Sequence, residues 1–227
     1  MMLLVFDIDG TLTMNNNTAT EAFRKSVYDI FNVSNYTEDW NEYQNDSDTG
    51  IISEIVSDYY HRMVSEQELI NFQKYYLLCF NRLLNGAGEK VLPVEGVVEF
   101  FKRISNYDDV KVALFTGGFP AVAKKKLDLI SIDKNFLFSA AFDGLSREKI
   151  FLNCISTAEK RYKSKFDKVI LFGDSMSDVK ISSKFNVPFI GVTTQVPSET
   201  FVSAGAKATI QNYRNVNIEE VINYGNC

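Results

Sequence analysis

Histidine is nearly absent from this chain: His61 is the only one among 227 residues. With a single His, His-centred zinc sites and Ser-His-Asp triads are not the expected working chemistry. Beside Tyr59, Tyr60 and Arg62, His61 reads as a surface residue of a helix. Cys79, Cys154 and Cys227 are odd in number and scattered, so they form neither a disulfide framework nor metal-ligand spacing. Reduced thiols in a cytoplasmic protein are the economical reading. No apolar window approaches the length of a membrane span. Met1-Met2-Leu3-Leu4 runs into Asp7 without a basic start, which predicts no export signal. Basic residues are also short: 24 Lys and Arg stand against 29 Asp and Glu, a net charge of -5. Nucleic acid and membranes are therefore not expected partners. A small phosphorylated substrate stays open, because a bound divalent cation offsets local negative charge.

What the chain does have is bulk and order. Hydrophobic residues make up 45%, with 18 Phe and 11 Tyr, enough for one large domain or a core with an insertion. The apolar run Leu3 to Phe6 reads as a buried strand that breaks at Gly10. A helix is predicted from Thr18 or Thr20 to about Phe31, then a polar stretch from Asn32 to Gly50. Two more helices follow, over Ile51 to Met63 and Glu66 to Leu84, the second with a Ser65–Glu68 capping box. No strand signal interrupts this region. From Leu92 onward the pattern alternates. Strands are predicted at Lys111–Phe115, Phe138–Phe142, Lys168–Phe172, Pro188–Val192 and Ala208–Ile210. Helices are predicted at Pro93–Ser105, Pro120–Leu129, Glu148–Tyr162 and Met176–Phe185. The alternation predicts an α/β fold, a doubly wound parallel sheet with an inserted all-helical cap. The core would be residues 1–14 plus 90–227, and the cap 15–89, with hinges near Thr13–Asn17 and Gly86–Lys90.

Three strand ends carry polar groups. Asp7 and Asp9 follow the first strand, and side chains two apart on a strand point one way, so both would face one site. Thr116 ends the second, followed by Gly117 and Gly118, whose amides can approach an anion closely. Asp174 leaves the fourth, with Asp178 one helical turn on. Each alone has a plain reading as a turn or helix cap. Jointly they supply what phosphoryl transfer needs. Asp7 can attack phosphorus as a carboxylate nucleophile. Asp9 can give and take protons. Asp7, Asp174, Asp178 and the vicinity of Asp9 offer hard oxygen ligands for Mg²⁺, and Thr116 with nearby amides can hold the transferred oxygens.

These motifs resemble the haloacid dehalogenase-like (HAD) hydrolase superfamily. Asp7-Ile8-Asp9-Gly10-Thr11-Leu12-Thr13 is similar to its first motif, Thr116 to its second, and Gly173-Asp174-Ser175-Met176-Ser177-Asp178 to its fourth. The helical insertion is similar to the cap of the phosphoglycolate phosphatase-like branch. The resemblance implies a phosphatase acting through an aspartyl-phosphate, with Mg²⁺, on a small phosphorylated metabolite, as a monomer or homodimer. It also implies a Lys or Arg before a Pro as third motif. This chain lacks the Pro, and Arg147 or Lys149 could fill the role, binding phosphate and balancing charge. Lys124-Lys125-Lys126 reads as a solvated helix face. Asp9 departs from the dehalogenase pattern. The linker Thr13 to Thr20 has no His, which favours hydrolysis over the sugar-phosphate mutase alternative. A catalytically weak binding protein of the same fold is the other alternative. The stretch Asn45 to Gly50 reads either as a substrate-facing loop or as an inter-helix loop with Asp48 or Thr49 as N-cap.

Overall fold

A computed structural model describes residues 1–14, 17–87, 90–132 and 135–224. Six strands form one sheet: β1 (Met2–Phe6), β2 (Val110–Phe115), β3 (Leu137–Ser139), β4 (Lys168–Gly173), β5 (Phe189–Val192) and β6 (Ala208–Ile210). Their spatial order is β3-β2-β1-β4-β5-β6, and every pairing is parallel. The strand order reverses between β1 and β4, and open parallel sheets bind ligands beyond the carboxyl ends of strands at such a point.

Alternation along β1 explains why both faces need covering. Leu4 and Phe6 enter one apolar cluster, while Leu3 and Val5 enter the other. Phe6 stacks on Phe172 of β4 at 4.4 Å between centroids, which ties the two central strands just behind their polar ends. Helices α4 (Val97–Ile104), α5 (Pro120–Leu129), α6 (Arg147–Tyr162), α7 (Met176–Phe185), α8 (Ser198–Ser203) and α9 (Ile218–Asn223) flank the sheet. Before them, α1 (Asn17–Phe31), α2 (Asp48–Tyr60) and α3 (Glu66–Ala87) contain no intervening strand among the described residues. These helical regions are consistent with a cap. Phe23, Phe31, Phe72 and Tyr76 pack α1 against α3. The Ser65–Glu68 capping box forms, each backbone amide meeting the other's side chain.

Several boundaries differ from expectation for local reasons. The helix expected from Pro93 starts at Val97, because Gly96 takes φ +79 as its N-cap and Pro93 bridges Thr13. The strand expected over Phe138–Phe142 stops at Ser139 and turns into a short 3-10 segment, Ala141–Asp143. The N-cap of α2 is Ser47, whose hydroxyl accepts from the Gly50 amide, and not Asp48 or Thr49. His61 ends α2 on the exposed surface at φ 51. Cys79 and Cys154 are buried free thiols. Cys227, the expected core–cap joins at 14/15 and 89/90, and the hinge residues Asn15, Asn16, Gly88 and Glu89 lie outside the described residues. No helix among the described residues is long and apolar enough to cross a membrane.

Candidate active site

The site grows from the register of the sheet. Phe6 lies level with Phe172 on β4 and Leu114 on β2, so Asp7, Asp174 and Thr116 emerge within one or two residues of a common edge. The Asp7 amide donates to the Phe172 carbonyl (3.0 Å), which carries the ladder one residue past the strand. Gly10 then turns the chain at φ +77, in the left-handed region that glycine enters without strain. A side chain there would also collide with Asp174: a Cβ built on Gly10 falls 1.9 Å from its Oδ2.

Asp7, Asp174 and Asp178 are 3%, 2% and 0% exposed, and a carboxylate oxygen of each lies within 4.8 Å of the others'. Arg147, at the first turn of α6, reaches into this trio. Its guanidinium donates to Asp7 Oδ1 at 3.1 Å and to Asp178 Oδ1 at 2.5 Å, and lies over the Phe115 ring. Asp178 is held from behind by Ser175, whose amide and hydroxyl both donate to Oδ2. Asp174 accepts from Thr11 Oγ1 and from Gln195 Nε2.

Burial works against charge here. It pushes the Asp7 carboxyl well above the usual range; Arg147 pulls it back, and Asp178 and Asp174 push it up again. Asp174 is pushed up to about 7, chiefly by burial and next by Asp178. Asp48 also rises to about 7 through burial. A carboxyl raised on folding makes the folded state bind more protons than the unfolded state. The stability this contributes is complete below the unfolded value near 4 and is lost as pH rises through about 7 for Asp174 and Asp48. Chelated protein melted between pH 5 and pH 8 is therefore expected to lose melting temperature toward pH 8. A rise over that interval contradicts this charge balance.

Asp9 behaves differently. It does not lie in line with Asp7 on a continuing strand, because β1 ends at Phe6 and the chain turns. Asp7 and Asp9 still line one cavity, of about 520 Å³. Asp9 Oδ1 accepts from Lys126 Nζ at 2.6 Å and from Thr13 Oγ1 at 3.3 Å. Lys126 was expected on a solvated face. It is 6% exposed instead, since Val122, Ala123, Lys126 and Leu127 form the buried stripe of α5. That spacing of three and four was present in the sequence, and the charge run concealed it.

Thr116 and Gly117 line the same cavity. Thr116 Oγ1 accepts from the Gly118 amide at 3.0 Å. Of the two third-motif options, Arg147 is the one the fold brings to Asp7. Lys149, two residues along α6 and so turned away from the site, is exposed with its Cβ against Gly144, and is not among the described lining residues. The polar stretch before α2 is stitched to the strand-end loops. Ser47 donates to the Leu145 carbonyl (2.7 Å), Asp46 accepts from the Arg147 amide (2.8 Å), and Asp48 accepts from the Phe119 amide (2.8 Å). Asp46 and Asp48 line the cavity, as does Gln195 from the loop after β5. Gln195 carried no signal in sequence, because only folding brings that loop to Asp174.

The donor set fits a hard divalent cation. It is all oxygen, buried and close-set, with no sulfur or imidazole.

The family model described as "haloacid dehalogenase-like hydrolase" matches residues 1–183, and the chain belongs to that family. Among solved structures, a HAD hydrolase of family IA, variant 3, from Entamoeba histolytica is similar at TM-score 0.71 and 13% identity, covering 100% of each chain. A predicted phosphoglycolate phosphatase from Haemophilus somnus is similar at TM-score 0.63 and 13% identity over 97% of each chain. A beta-phosphoglucomutase from Pyrococcus sp. strain ST 04 is similar at TM-score 0.57 and 13% identity, covering 100% of this chain and 99% of that one. At such identities the likeness is one of fold. No curated protein matches.

Proposed function

We propose that this protein is a Mg²⁺-dependent phosphatase hydrolysing a small phosphorylated metabolite through an aspartyl-phosphate, with residues 1–14 and 90–227 as core and 15–89 as cap. The observation that carries the reading is the meeting of Asp7, Asp174 and Asp178 with Arg147 at adjacent strand ends. Asp7 and Asp174, with a main-chain carbonyl near Asp9, would hold Mg²⁺, and Asp178 would steady that set from behind. The ion, when bound, offsets the charge that keeps an anionic carboxylate from an anionic phosphate.

The residues then divide the work. A carboxylate oxygen of Asp7 attacks phosphorus, and the bond from phosphorus to the leaving oxygen breaks. Asp9 acts as general acid toward that oxygen and then as general base toward the water, which attacks phosphorus of the phosphoaspartate and breaks its bond to Asp7, releasing phosphate. Lys126 and Thr13 hold Asp9 in place. Thr116 and Arg147 hold the transferred oxygens. The direct test is phosphate release from phenyl phosphate with Mg²⁺ and after exhaustive chelation. Release is expected only with the ion; release that persists after chelation overturns the reading.

A further inference from the structure

The leaving group must occupy the rest of the 520 Å³ cavity, and the walls there restrict its chemistry. Trp40 is the partly exposed aromatic ring of that wall, with the buried rings of Phe23, Tyr76 and Phe119 behind it. Phe23 meets Trp40 edge-on at 5.6 Å and Tyr76 edge-on at 5.6 Å, so Trp40 is anchored to a packed ring cluster. Asp48 stands in the same chamber. Its Oδ2 accepts from the Phe119 amide, and its Oδ1 has no hydrogen-bond partner among the described residues.

Cations are the scarce element. Among the described lining residues only Lys126 and Arg147 are basic, against Asp7, Asp9, Asp46, Asp48 and Asp174. Both are engaged. Arg147 is held by Asp7 and Asp178, and Lys126 by Asp9, with its ammonium 5.8 Å above the Phe80 ring. A leaving group bearing a carboxylate would have to take Lys126 from Asp9 and sit beside Asp48. A protonated amine would find Asp48 Oδ1 and aromatic faces, the two environments that stabilise an ammonium away from bulk water.

Resting on the phosphatase reading, we propose that this site selects phosphomonoesters whose leaving group is an apolar or aromatic body carrying a protonated amine, seated against Asp48, and discriminates against leaving groups that carry a carboxylate. Burial pushes the Asp48 carboxyl up to about 7, and an ammonium at Oδ1 offsets that cost.

Three esters with one ring test this: phenyl phosphate, 4-(2-aminoethyl)phenyl phosphate and 4-(carboxymethyl)phenyl phosphate. With Mg²⁺ at pH 7.5, kcat/KM for the amine ester is expected to exceed each of the others by about tenfold or more, the size of one well-placed charge contact. Asp48→Asn is expected to bring the amine and unsubstituted esters within about threefold of each other. A carboxylate ester turned over as well as the amine ester overturns the selectivity, and so does an amine preference that survives Asp48→Asn. Both outcomes leave the phosphatase reading standing. Trp40 is the sole tryptophan and lines the cavity, so its fluorescence reports occupancy independently of turnover. If none of the three esters releases phosphate, the phosphatase reading fails and binding decides the selectivity. Tighter binding of the amine ester upholds it, and equal or tighter binding of the carboxylate ester overturns it.

Discussion

Replacing Asp7 by Asn is expected to lower phosphate release by about 10⁴-fold, the scale seen when a covalent nucleophile is removed. The melting temperature should hold or rise. Asn keeps the volume and an acceptor oxygen for Arg147, while it removes a buried charge that faces Asp174 and Asp178. The pairing of lost turnover with retained stability is what separates a chemical role from a structural one. Phosphate assays on phenyl phosphate and thermal melts of the same preparations measure both. Retention of more than a tenth of the wild-type rate would remove Asp7 from the attack.

The second large effect is expected at Arg147. Its side chain is 14% exposed and is the shared partner of two carboxylates that are 4% and 0% exposed. Arg147→Ala leaves those carboxylates facing each other without a counter-charge, and breaking one side of a buried pair costs about 3–5 kcal/mol. Turnover should fall by about 10²–10³-fold, as for loss of a group that stabilises developing charge. A single guanidinium nitrogen, Nη2, meets both Asp7 and Asp178, so the ammonium of Arg147→Lys is expected to recover part of the stability, while the loss of the remaining guanidinium donors leaves turnover poorly recovered. Adding Asp178→Asn to Arg147→Ala should return part of the lost stability, since the two residues touch and their effects do not add. Chemical denaturation of the four proteins measures this. If Arg147→Ala melts as the wild type does, Arg147 does not hold the cluster together.

The strand-end residues were legible because their signal is local. An apolar run followed by Asp7 or Asp174 states both the strand and its polar tip, and the parallel sheet brings the tips together. Arg147 was reachable as one of two choices, and helical geometry made the selection: it sits at the first position of α6, facing the strand ends, while Lys149 faces out. Lys126 was hidden for a different reason. Three consecutive lysines read as a wet face, yet Val122, Ala123 and Leu127 fix the stripe on which only the third of them falls. The helices α8 and α9 have six residues each, too short for a period to show. Asp48 was read as a cap candidate or a substrate-facing residue. It is the first residue of α2 and lines the cavity, while Ser47 does the capping.

The stitching of residues 46–48 onto the loops after β2 and β3 bears on the pace of the cycle. Ser47, Asp46 and Asp48 are tied to Leu145, Arg147, Phe119 and, through the Asp48 amide, to the Gly117 carbonyl. Two of these ties fall on the backbone of Arg147 and of Gly117, which follows Thr116; Arg147 and Thr116 are the residues that the proposed function assigns to the phosphate. On that proposal, moving this segment away would loosen the grip on the anion, and admission and release would be coupled to the unfastening of a few polar contacts with no covalent bond changing.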